Sequence, residues 1–357
     1  MVYCLYPFRK ESYMEEQNSG EGLALSALTI TKEDRRAARR TFSRIAISLA
    51  AYTAVSYVVI LLLRLILTAT GLTGAVSENI CLSWVLSVAP MYLCGLPVLW
   101  LIVRGMPEYP IRRKSFSASN FLILFLVSRA FLTVGSVVSQ IIVGLLERLL
   151  GYEIADSTTD MVESTPAWLL ILLVVLLAPL VEEFIFRKLF IDRLAGYGDK
   201  AAILFTSALF GIAHGNFYQF IYTFLLGLIL GYLYTRTGKM RWSFLLHAIT
   251  NFLGSVVALP ILRAIRRLEE ITAMENPDLS EMFGLSSLVL SYSVILYGMA
   301  ILGVIFFFLY KKRIRLSEGD YPLPAKTLFA ASVCNLGTPI FFLISVAEFV
   351  LSILPGA

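Results

Sequence analysis

Apolar residues run along this chain in long blocks separated by short polar connectors. Nine blocks approach the roughly 20 residues that a helix needs to cross a hydrocarbon core. They lie at about 44–67, 80–103, 119–146, 166–189, 201–215, 217–235, 242–262, 285–310 and 327–354. The fifth is short, and Gly215-Asn216 predicts a tight hairpin into the sixth. The pattern predicts an all-α fold: a polytopic membrane helix bundle of about nine transmembrane helices. No fixed-period repeat, low-complexity tract or second soluble domain interrupts it. The connectors are too short to house an enzyme outside the bilayer, so any chemistry has to be built from the helices.

Charge gives the bundle a direction. Arg35 to Arg44, Arg104 with Arg112 to Lys114, Arg187 to Lys200, Arg236 to Arg241 and Lys311 to Arg315 fall on one side of the alternation. The opposite connectors carry Glu153, Asp156, Asp160 and Glu163, and then Glu269, Glu270, Glu275, Asp278 and Glu281, interrupted by Arg148, Arg263, Arg266 and Arg267. Positive charge collects on the cytoplasmic side, so the N-terminus is expected in the cytoplasm and, after nine spans, the C-terminus outside. Residues 1–40 are the most polar stretch and read as a cytoplasmic tail, with 41–357 as the transmembrane domain. No apolar segment with a small-residue cleavage site marks a removed signal peptide.

Composition agrees. The chain is 58% hydrophobic and 15% charged, with a mean hydropathy of +0.77, where a soluble domain is about 45–50% apolar and about 25% charged. The reading is a multi-pass protein of the cell membrane, with the lipid bilayer as its first partner. A net charge of +5 is what cytoplasmic connectors bring, and it implies no nucleic acid partner. Cys4, Cys81, Cys94 and Cys334 are scattered, without a CxxC pair, and read as tail and helix-packing residues.

Against this background a few polar residues stand out. Glu182 and Glu183 end a run without charge from Ala167 to Val181, where an unpaired carboxylate costs several kcal/mol. The chain has two histidines, and both His214 and His247 lie in apolar segments. Glu183 and Arg187 are one helical turn apart and can form an ion pair; Phe210 with His214, and His247 with Asn251, share faces in the same way. Glu182 points about 100° away from Glu183 and stays available. Buried ionisable groups in a membrane face one another or a wet cavity. Glu182 with one histidine could activate a water for attack on a carbonyl, while the second histidine and the Asn251 amide donate to the oxyanion. Glu182, His214 and His247 are equally a set that would hold zinc with an open water position. Neither scheme needs a serine or cysteine nucleophile, and no GxSxG arrangement occurs in a comparable context.

Three segments carry a resemblance. VEEFIFRKLF, FGIAH and HAITN are similar to the EExxxR, FxxxH and HxxxN signatures of the CAAX protease and bacteriocin-processing family of intramembrane endopeptidases. The likeness spans about a quarter of the chain, and three motifs in order on separate apolar segments are more specific than any one. The resemblance implies a catalytic core over 165–260, and a peptide or protein substrate of CAAX or bacteriocin-related type. Glu182 would be the water-activating base, assisted by His214, while His247 and Asn251 would stabilise the oxyanion. Glu183 and Arg187 would support the helix and tune Glu182, and Phe210 would pack beside the site. The family is grouped with metallopeptidases but is also described as glutamate-dependent without a tightly bound metal. A divalent ion such as zinc therefore stays open.

Further expectations follow from helical rise. Glu182 and His247 lie about 9 Å inside the cytoplasmic boundary, but His214 comes out about 22 Å deep unless the fourth helix continues past the membrane to Leu194. A long fourth helix is therefore predicted. Gly227 and Gly231 form a GxxxG for a close helix crossing. Arg129 is either a snorkelling residue or a counter-charge for the glutamates, and Glu348 is read as interfacial. Two rival functions remain: a non-catalytic scaffold or bacteriocin-immunity protein of the same family, and a transporter using these groups as a proton relay, for which paired broken repeats are missing.

Overall fold

The computed structural model describes residues 30–109 and 111–355. Helix α1 (Lys32–Ala69) starts at a capping box, in which the Thr31 side chain accepts from the Asp34 N–H and the Asp34 carboxylate accepts from the Thr31 N–H. The helix thus begins inside the stretch read as tail; residues 1–29 lie outside the described residues. A short α2 (Thr73–Glu78) leads to α3 (Ile80–Val103), which holds a π-helical turn from Pro90 to Gly95. Helix α4 (Ala118–Leu150) is capped by Ser117 and closed by Gly151 at φ +79°. A polar α5 (Ser157–Ser164) precedes α6 (Ala167–Tyr197).

The remaining helices are α7 (Asp199–Ile212), α8 (Phe217–Thr237), α9 (Met240–Gly254), α10 (Leu259–Thr272), α11 (Leu279–Tyr310), α12 (Ala325–Val333) and α13 (Gly337–Leu351). No strand occurs among the described residues. Among the described residues seven helices are long and apolar enough to cross a membrane, with α9 and α10 counted as one, and α12 with α13 makes up to eight. The chain is a multi-pass membrane protein.

Two of the nine predicted spans need correction. Helix α7 has 14 residues, about 21 Å at 1.5 Å per residue, short of a hydrocarbon core about 30 Å thick. Its length is cut by the turn at Gly215, whose φ is +66°. The last predicted span is two helices bent by 57°. Asn335 makes that bend: its amide donates to the Ala331 and Ser332 carbonyls that end α12, and its Oδ1 accepts from Thr338 N–H at the start of α13. Apolarity alone carries neither signal.

Helix α6 is the axis of the site. It continues for 31 residues to Tyr197, the long fourth helix that the depth argument required. The core beneath it is formed by Phe42, Ile45 and Leu49 of α1, Leu99 of α3, Phe186, Leu189 and Phe190 of α6, and Phe205 and Phe210 of α7. Helix α8 packs against α7 on one side and α4 on the other. Gly227 and Gly231 lie in the α7–α8 crossing, where an added Cβ would stand 3.0 Å from Ser207 and 3.2 Å from Ile203. The predicted close crossing is therefore found. Helix α11 leaves Leu290, Val294, Ile301 and Phe308 exposed, as a lipid-facing helix does.

Candidate active site

The polar groups gather where α6, α7 and α9 meet. Helix α6 is not regular there. Ile171–Leu177 and Phe184–Ile191 are π-helical, with i→i+5 bonds from Ala178 N–H to Leu173 O and from Asp192 N–H to Arg187 O. The six α-helical residues between them, Ala178–Glu183, carry the glutamate doublet. π-turns inside helices are rare and cluster at functional sites.

The two glutamates have different surroundings. Glu183 is fully buried, and its Oε2 accepts from Arg187 Nε at 3.1 Å, the ion pair that the four-residue spacing predicts. Its Oε1 lies 3.1 Å from His247 Nδ1, and Ser243, one turn before His247, lies close to it. Arg187 leaves both terminal nitrogens without a hydrogen-bond partner, but its guanidinium stands over the Phe210 ring at 5.4 Å, a contact that replaces part of the lost hydration.

Glu182 is 30% exposed, and His247 Nε2 lies 3.6 Å from its Oε2. His247 therefore stands between both carboxylates and is itself 3% exposed. His214 Nδ1 lies 2.7 Å from the Phe210 carbonyl. A carbonyl only accepts, so Nδ1 carries the proton and, in the neutral ring, Nε2 keeps its lone pair free. His214 is within electrostatic range of Glu182 and of His247. The Phe210 ring stands edge-on to both imidazoles, with centroids 4.9 Å from His214 and 5.8 Å from His247. Asn251 Nδ2 donates to the backbone carbonyl of Val174 at 2.9 Å.

Sequence spacing missed several partners. Ser243, His247 and Asn251 follow one another at four-residue intervals on α9, so the polar stripe was there to be read one turn earlier. Tyr52 on α1 and Tyr92 in the π-turn of α3 are both within electrostatic range of Glu182. They come from distant helices, and no motif marks them. Arg129 is neither of the things expected of it. It is buried, its Nε has no hydrogen-bond partner, and the charged or polar neighbour it senses is Tyr292 on α11. The counter-charge for Glu183 is Arg187 instead. Glu348 lies near Tyr57 and packs on Gly215, where an added Cβ would lie 3.0 Å from its own Cβ.

Among the described residues, no three His, Cys, Asp or Glu side chains group closely enough to hold an ion. Glu182, His214 and His247 are not assembled as ligands here, because Phe210 stands against both rings and His247 is turned onto Glu183.

Comparison with known proteins converges on the same segment. Residues 164–253 match the family model described as type II CAAX prenyl endopeptidase Rce1-like, and all seven predicted site residues fall inside that stretch. Over 169 residues the chain is 25% identical to "Putative membrane peptidase YdiL" of Bacillus subtilis (strain 168), a match covering 45% of this chain and 66% of that one. The chain thus spans just under two thirds of the length of that relative. No solved structure matches the chain.

Proposed function

We propose that the core of this chain, which matches the Rce1-like family model over residues 164–253, is that of the CAAX protease and bacteriocin-processing family, and that it is an intramembrane endopeptidase working through Glu182. One observation carries the reading. Of two adjacent glutamates, Glu183 is sealed and charge-paired, while Glu182 keeps 30% of its side chain open beside a buried histidine. A carboxylate that is only structural has no need of that opening in an apolar helix.

In this scheme a water bound at Glu182 gives its proton to the carboxylate as its oxygen attacks the scissile carbonyl. His214, through Nε2, accepts a hydrogen bond from the same water. The developing oxyanion takes hydrogen bonds from Asn251 and from His247 Nε2 when that ring holds both protons. The proton on Glu182 then passes to the leaving amine, and the C–N bond breaks. Glu183 and Arg187 act through His247 by fixing its ring, and Phe210 fixes the spacing of the two imidazoles. The substrate is a peptide of CAAX or bacteriocin-related type, cut near the cytoplasmic face.

The test is Glu182→Gln with His247→Ala as companion, assayed for peptide cleavage in membranes at matched protein level. Loss of a general base is expected to cost about 10²–10⁴ in rate. Thermal stability of Glu182→Gln should be unchanged, because no close hydrogen bond is removed. Cleavage, or an in vivo phenotype, indifferent to both changes would favour the scaffold or immunity function.

A further inference from the structure

The π-segment of α6 sets up a contact that the family motifs do not mention. Over Ile171–Leu177 the backbone bonds run five residues back, and the last one observed joins Ala178 N–H to Leu173 O. In the same register the next donor, residue 179, would bond Val174 O. Residue 179 is proline and has no N–H to give. The Val174 carbonyl is left without a helical donor, and Asn251 Nδ2 takes that place at 2.9 Å. Pro179 is itself buried, so its side of the helix offers little water as an alternative partner.

We propose that Pro179 is a positioning residue for the site: by withholding one N–H it opens the Val174 carbonyl as a fixed anchor for the Asn251 amide. Asn251 lies one turn beyond His247, so the anchor fixes both polar residues of α9 against the glutamate-bearing turn of α6. One amide proton of Asn251 is used on Val174, and the second stays available for a substrate oxygen. The proline would then act by hydrogen-bond subtraction rather than by kinking the helix. For its effect on cleavage the inference rests on the peptidase reading; the anchor itself does not.

The experiment uses the full-length protein in detergent or bilayer discs, as wild type, Pro179→Ala, Asn251→Ala and the double variant. The first readout is thermal unfolding, which needs no activity. Asn251→Ala is expected to lower Tm by about 2 °C in the wild-type background, since it strips a carbonyl of its donor. In the Pro179→Ala background it should lower Tm by nothing measurable, because the new N–H already serves Val174. Equal losses in both backgrounds would overturn the proposal. So would failure of Pro179→Ala to fold, since the proposal gives that variant an additional backbone hydrogen bond.

The second readout is cleavage. Pro179→Ala should lower kcat by about 100-fold, the scale of losing an oxyanion donor, with KM little changed. Lactic acid at position 179, an ester link that lacks the N–H and also lacks the ring, should restore kcat. An ester variant as slow as Pro179→Ala would overturn the proposal by showing that ring shape is what matters. Glu182→Gln separates the two failures. If it cleaves like wild type the peptidase reading falls, while the unfolding cycle still decides the role of Pro179.

Discussion

Glu183 is the residue at which removal of one carboxylate should cost most. It is fully buried and holds two partners at 3.1 Å each, Arg187 Nε and His247 Nδ1. Glu183→Gln keeps the shape but takes away the charge, leaving Arg187 as an uncompensated buried cation. Breaking a buried pair from one side typically costs about 3–5 kcal/mol, which would lower Tm on the order of 5–10 °C. Replacing both partners with Glu183→Gln and Arg187→Met should recover much of that stability, since exchanging a buried pair for apolar packing is often neutral. Cleavage should not recover, because His247 would still lack the carboxylate that orients its ring. The assay is thermal unfolding in detergent, paired with peptide cleavage in membranes, on both single variants and the double. The reasoning is refuted if Glu183→Gln is as stable as wild type, or if the double variant regains cleavage along with stability.

Two further predictions address the surroundings of the site. Gly215→Ala places a Cβ at φ +66° and against Glu348, so it should cost at least about 1–2 kcal/mol and disturb the turn that carries His214. Unchanged unfolding and unchanged cleavage would show that the turn is relaxed. Arg129→Met removes a buried cation whose Nε has no hydrogen-bond partner, so Tm should hold or rise; a fall of more than about 5 °C would mean that this cation has a strong partner.

What the sequence revealed here is what helical periodicity can carry. Contacts within one helix were legible: Glu183 with Arg187 across one turn, Phe210 with His214 across another, and the glycine pair of α8. The continuation of α6 to Tyr197 was also legible, because depth counted along the backbone left His214 out of reach without it. Contacts between helices were not. His247 joins Glu183 across 64 positions, and nothing in either segment names the other. Tyr52 and Tyr92 come within electrostatic range of Glu182 from α1 and α3, at positions that no spacing marks. The count of spans failed where a local device overrode hydropathy, at Gly215 and at the Asn335 amide. The depth argument assumed a regular helix of uniform rise, and α6 departs from that on both sides of the doublet.

That departure makes α6 a gauge of register. An i→i+5 turn accommodates one residue more than an i→i+4 turn, and such a turn lies immediately before the segment carrying the doublet. Closing that turn to i→i+4 with every residue kept would carry everything after it on by about 100°. Glu182 would then stand where Glu183 stood, and Val181 would fall where the open carboxylate had been. A one-residue slip would bury the reactive acid and put an apolar side chain at the opening, whereas deleting one residue as the turn closes would keep the doublet in place. Which of two identical side chains serves as the reagent is thus decided by how many residues the preceding turn contains.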